Sequence, residues 1–175
     1  GLLLRMVARG HKKLHSANGK GLVISGPYRH VRNPMYLGTF MLGAGFILLV
    51  WPWWALPVYA VVFYLRFRIQ ILKEEEYLGK NFGEEFKGYC REVPRLFPKM
   101  RLLTKEEVQR DFPWQQAWLT KEKNGLLAWP LVAIGMEILQ EKLVFGYVHV
   151  PGILLAFLLA VVCFGGSAWV FYKKP

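Results

Sequence analysis

Two apolar runs separated by a single proline set the tightest limit on how this chain folds. Residues 36–50 and 53–72 are mostly hydrophobic, and Pro52 stands between them, flanked by Trp51, Trp53 and Trp54. Proline breaks a helix interior, so the two runs read as helices joined by a very short turn, an antiparallel hairpin. The tryptophans fit aromatic anchors at a membrane–water interface. The first run is short against the ~20 residues one crossing needs. Extending it to Pro34 and Trp51 helps, and Gly38, Gly43 and Gly45 permit close helix contact. The second run ends with Arg66 and Arg68, which either snorkel to headgroups or point into a polar cavity.

Two more apolar runs follow, 125–139 with Pro130 and Glu137, and 150–172 with Lys173 and Lys174 after it. Between the pairs, residues 73–123 are amphipathic and charged. The pattern there predicts a helix interrupted near Gly79 or Gly83. A second, interfacial helix is expected within residues 102–116, with Thr104 as N-cap and Glu107 completing a capping box. Pro113, Trp114 and Trp118 fit a segment lying on the membrane surface. Before the hairpin, residues 2–4 read as the tail of a helix, residues 5–20 as basic and polar, and residues 18–21 as a loop.

Composition narrows the class. The chain is 54% hydrophobic yet carries a formal charge of +11. Nucleic-acid binding would account for the charge but not for four apolar runs, whereas a membrane protein accounts for both. Of 23 lysines and arginines, all but Lys142 lie before Pro34, between Arg66 and Lys123, or at the C-terminus. The positive-inside rule then puts the C-terminus and both polar stretches in the cytosol. Cys90 and Cys163 form no disulfide framework. His11 and His15 stand four apart with no third ligand nearby, so no metal site is expected.

The polar stretch before the hairpin is GPYRHVRNPMYLG, residues 26–38. Gly26-Pro27 marks a turn, and Asn33-Pro34 restricts the backbone again while suiting a helix entry with Asn33 as N-cap. A basic, aromatic, donor-rich loop thus sits at the mouth of the first apolar helix. Chemistry alone leaves two readings level: a juxtamembrane anchor for anionic lipid, or a site for a polar ligand. The short hairpin turn brings the far end of the second run, where Glu74 and Glu75 lie, beside this loop.

GPYRHVRNPMYLG resembles the cofactor-binding signature of the integral-membrane methyltransferases, the isoprenylcysteine carboxyl and phospholipid methyltransferase group. Residues 74–98, EEEYLGKNFGEEFKGYCREVPRLFP, resemble the second half of that signature. The resemblance implies an all-α integral membrane protein, a multi-span helical bundle with a cytosolic amphipathic cofactor-binding region. It implies a methyltransferase core over residues 1–98, with residues 99–175 as an added module. It further implies S-adenosylmethionine as cofactor, enclosed by Tyr28, Arg32, Asn33, Pro34, Tyr36, Gly38, Glu74 and Glu75. Glu75, then Glu74, and Arg95 are the catalytic candidates, and Glu76 is the least expected of the three glutamates. Tyr89 and Arg95 reach the same pocket by the same likeness, while Arg29 and His30 are expected at the surface. Where the family commonly has Arg-His-Pro this chain has Arg32-Asn33-Pro34, and asparagine cannot titrate.

The acceptor implied is lipophilic, a prenylated cysteine carboxylate or a phospholipid amine, entering from the bilayer among membrane lipids. Two rivals remain at this stage. Membrane sterol reductases carry a similar element near a nicotinamide cofactor, NADPH, although the stretch from Glu74 to Gly83 favours the methyltransferases. A non-catalytic lipid-binding module would bind no cofactor.

Overall fold

The computed structural model describes residues 1–16, 21–98, 104–112, 117 and 120–146, together with 151, 154, 157, 158 and 161. Among these the protein is all-helical. Helix α1 (Leu2–His15) leads through a 3-10 turn, Gly26–Arg29, into α2 (Pro34–Val50), α3 (Ala55–Glu92), α4 (Lys105–Asp111) and α5 (Lys123–Phe145).

The hairpin is present. Trp51 and Pro52 end α2, the Ala55 N–H bonds back to the Pro52 carbonyl at 2.9 Å, and α3 starts at once. A ladder of rings joins the two helices: Phe40 stacks on Tyr59 and meets Phe63 edge-on, Phe63 tilts against Phe67, and Phe67 against Tyr36, with centroids 4.4–5.5 Å apart. Of the three glycines expected to allow close approach, Gly38 lies against Arg5 and the Gly1 backbone, and Gly43 against the Tyr59 ring. Gly45 faces open space.

Helix α3 crosses two environments. Its first half leaves Val58, Val61, Val62, Leu65 and Ile69 exposed, as a lipid-facing helix does. Eighteen residues of helix rise about 27 Å, close to the hydrocarbon thickness, and the charged second half continues beyond that length. The predicted interruption falls at Gly83, whose φ of 47° and ψ of −117° lie outside the helical region. Such a conformation suits glycine alone. Helix α3 is the one helix among the described residues long and apolar enough to span a membrane, and α2 is a shorter apolar helix. The expected multi-span bundle is therefore seen only in part.

Three expectations are corrected or extended. Residues 5–15, read from the sequence only as basic and polar, are the body of α1, which buries Met6, Val7, Ala8 and His11. The interfacial helix proposed for 102–116 is described only as α4. There the capping box is made: Thr104 Oγ1 accepts from the Glu107 N–H at 3.3 Å, and Glu107 Oε2 accepts from the Thr104 N–H at 3.1 Å. The third apolar run forms the longer α5, which starts at Lys123, contains Pro130 and is closed by Gly146 at φ 73°. Pro113, Trp114 and Trp118 lie outside the described residues, as does most of the run 150–172.

Helix α5 rests on α1 and α2, with Trp129 against Phe46 at 4.9 Å. Helix α1 packs along α2 and onto the 3-10 turn. Gly26 sits there at φ 61°, so close to the His11 ring that a Cβ would lie 2.7 Å from it. The His11 ring also hydrogen-bonds Ser25 Oγ through Nε2 at 2.9 Å. The turn is thereby clamped onto α1.

Candidate functional site

The two polar stretches lie against each other and share hydrogen bonds along their length. The Arg32 N–H donates to the Pro94 carbonyl at 2.9 Å, and Asn33 Nδ2 donates to the Arg95 carbonyl at 3.1 Å. From the other side, the Tyr89 hydroxyl donates to the Tyr28 carbonyl at 2.6 Å. Asn33 holds the N-cap position of α2, but its side chain makes no cap bond. It is spent instead on tying the loop to the exit of α3.

Charges complete the join. Glu75 accepts two hydrogen bonds from Arg95, from Nε at 3.1 Å and Nη2 at 2.6 Å, and pairs with Arg32 Nη1 at 3.2 Å. Beside it, Glu74 accepts from the Tyr36 hydroxyl at 2.7 Å and from Gln70 Nε2 at 3.3 Å. Glu76, a further 100° around the helix, is exposed and pairs with Lys80 at 2.6 Å. The glutamate run thus splits: two members face the loop and the third is solvated.

Between the stretches lies a cavity of about 390 Å³, within the ~300–1,000 Å³ range of small-molecule sites. Tyr28, Arg32, Asn33, Pro34, Tyr36, Glu74 and Glu75 line it; Gly38 and Arg95 do not. Gly38 is taken up by the α1 contact, and Arg95 acts on the wall through Glu75. Burial, reinforced by the Glu74 charge, pushes the Tyr28 phenol well above its usual pKa. Burial does the same to Tyr89. Both therefore remain neutral hydroxyls over the physiological range. The Glu75 hydrogen bonds hold the Arg95 guanidinium still more firmly charged.

Sequence reasoning missed part of the lining. Arg5, Lys12 and Thr39 belong to it, as do Phe67 and Phe86. Arg5 and Lys12 are seven residues apart and so share a face of α1. That spacing was available as a signal once α1 was read as a helix. His30, expected at the surface, is largely enclosed: its Nε2 meets Asp111 Oδ2 at 2.9 Å and its ring stacks on Phe112. Arg29 is exposed as expected.

Comparison with known proteins reaches the loop and the glutamates of α3. Residues 13–85 match the family model for phospholipid methyltransferases. The protein-S-isoprenylcysteine O-methyltransferase of Schizosaccharomyces pombe is 32% identical over 77 residues, 44% of this chain and 33% of that protein. The Delta(14)-sterol reductase LBR of Gallus gallus is 28% identical over 93 residues, 53% of this chain and 15% of that protein. The nickel-cobalt-cadmium resistance protein NccN of Alcaligenes xylosoxydans xylosoxydans is 32% identical over 87 residues, 50% of this chain and 40% of that protein. The chain thus spans well under half the length of each of these relatives. No solved structure matches it at the same stringency.

Proposed function

We propose that this chain, whose residues 13–85 match the phospholipid methyltransferase family model, is an enzyme that methylates a lipophilic acceptor with S-adenosylmethionine at the cytosolic membrane face. The observation that carries the reading is a cavity walled by both motifs, with Tyr28, Arg32, Tyr36, Glu74 and Glu75 on its lining. The cavity residues fit such a cofactor. Arg32 Nε is buried with no partner in the protein, a donor whose desolvation is costly unless a ligand oxygen meets it. Glu74, which accepts from the Tyr36 hydroxyl, offers a carboxylate to a cation, and the Tyr36 ring lines the same cavity.

When bound, the cofactor supplies an activated methyl group on a sulfonium. The protein's share is to bind, orient and exclude water, which suits an in-line transfer governed by positioning. Arg32 and Asn33 hold the loop in register with α3, and the Phe67 and Phe86 rings keep part of the wall dry. An acceptor carboxylate needs no base. An acceptor amine must first lose a proton before it can attack. The cytosolic orientation rests on the charge asymmetry. With the native cysteines replaced, a cysteine at Lys142 should label from outside with an impermeant reagent and one at Lys105 should not; the reverse pattern would overturn it.

Titration of the purified chain with S-adenosylhomocysteine and with NADPH tests the reading. Binding of the first and not the second is expected. Binding of NADPH alone would favour a reductase, and binding of neither a lipid-binding module.

A further inference from the structure

The charges lining the cavity are not all balanced within the protein. Glu75 is taken by Arg32 and Arg95, and Arg5 by Glu122. Among the described residues this leaves one lining cation and one lining anion without an opposite charge, Lys12 and Glu74. Glu74 receives hydrogen bonds from Tyr36 and Gln70, but no basic side chain stands within 4.0 Å of it. Lys12, on the last turn of α1, is half-buried and lines the cavity. Its side chain makes no hydrogen bond or ion pair among the described residues.

The register of Lys12 is set by its neighbour. His11 is buried under Gly26 and bonded to Ser25, and one residue further the helix has turned by about 100°, which brings Lys12 to the cavity side. Arg5, two turns earlier, reaches the same cavity. Partial burial of an ammonium with no counter-charge is unfavourable unless an anion meets it there.

We propose that Lys12 binds the carboxylate of the amino-acid tail of S-adenosylmethionine, while Glu74 takes the ammonium of the same tail. The assignment rests on the methyltransferase reading given above. That tail is a zwitterion and needs one cation and one anion; the described lining leaves one of each free. Arg32, the residue the motif would first put forward for the carboxylate, already faces Glu75 at 3.2 Å. Lys12 lies outside both motifs and just outside the matched residues 13–85.

The test uses two probes on the full chain in detergent: S-adenosylhomocysteine, which carries the zwitterionic tail, and 5′-methylthioadenosine, which has the same nucleoside and sulfur but no tail. Lys12→Gln should weaken S-adenosylhomocysteine by about tenfold or more, equivalent to about 1.4 kcal/mol, and leave methylthioadenosine within about twofold. Lys12→Arg should recover most of the loss, and Lys13→Gln, on the exposed side of α1, should cause none. Unchanged S-adenosylhomocysteine binding in Lys12→Gln would overturn the assignment. So would an equal loss for both probes, which marks a structural role. If the wild-type chain binds neither probe, the methyltransferase reading falls and takes the assignment with it.

Discussion

Two carboxylates in this protein are each gripped by a pair of arginines. Glu75 is held by Arg32 and Arg95, and Glu122 by Arg5 and Arg9 at 2.8 and 2.6 Å. Their side chains are almost equally enclosed, 13% and 12% exposed. Yet the first cluster joins the two walls of a cavity, while the second fastens α1 to the start of α5, where a helix N-terminus also favours the negative charge. Arg5 is the link between them: it lines the cavity and also reaches Thr39. Similar burial and similar pairing therefore serve a site in one case and an assembly of helices in the other. What separates them is the space the paired side chains face.

That contrast predicts opposite outcomes from matched substitutions. Glu75→Ala and Glu122→Ala should each lower stability by about 1–3 kcal/mol, because each leaves two arginines without their partner. Their effects on ligand binding should differ by far more. Glu75→Ala should weaken S-adenosylhomocysteine by ten- to a hundredfold, roughly 1.4–2.8 kcal/mol, and Glu122→Ala by about threefold at most. Calorimetry and thermal unfolding on the same preparations would read both. Equal binding losses would erase the distinction.

Acid should loosen the Glu122 cluster. Hydrogen bonds from Arg5 lower the Glu122 pKa most, burial opposes them, and Arg9 adds to the lowering. A carboxyl depressed in the folded state stabilises above its unfolded pKa of ~4.3, and that contribution is lost as pH falls through the folded value. The difference in Tm between wild type and Glu122→Gln should therefore be full near neutrality and vanish in strong acid. A difference that stays constant with pH would remove the ion pair from the explanation.

A smaller effect is expected at Asn33, where the motif this loop resembles commonly has histidine. Asn33 contributes an N–H to the Arg95 carbonyl, and a neutral imidazole also carries a donor N–H. Asn33→His should keep S-adenosylhomocysteine affinity within about tenfold. Complete loss in a folded variant would mean that the loop tolerates only the amide.

The residues explain why one cluster was legible beforehand and the other was not. Pro52 and its tryptophans gave away the hairpin, and the hairpin brought residues 26–38 beside Glu74 and Glu75. Gly83 and the Thr104–Glu107 box could be placed for similar reasons, since each depends on local chemistry. Glu122 gave no such signal: its partners Arg5 and Arg9 lie 117 and 113 residues away. Helix α1 was hidden because Arg5, Arg9, Lys12 and Lys13 interrupt the apolar positions Leu2, Met6 and Val7, so the segment read only as basic and polar. His30 was misplaced because its cover, Asp111 and Phe112, comes from α4, some 80 residues on. Asn33 fills the predicted cap position, but a tertiary partner won its side chain.

A double-mutant cycle on Arg32 and Glu75 decides whether the two motifs make one site. S-adenosylhomocysteine would be titrated into wild type, Arg32→Ala, Glu75→Ala, the double variant and, as a control on the solvated face, Glu76→Ala. Each single change of the pair should cost ten- to a hundredfold in affinity, about 1.4–2.8 kcal/mol. Because the two side chains touch at 3.2 Å, the double variant should lose less than the sum, by about 0.5 kcal/mol or more. Glu76→Ala should bind as wild type does. Strict additivity, or a loss in Glu76→Ala as large as in Glu75→Ala, would contradict a single site built from both motifs.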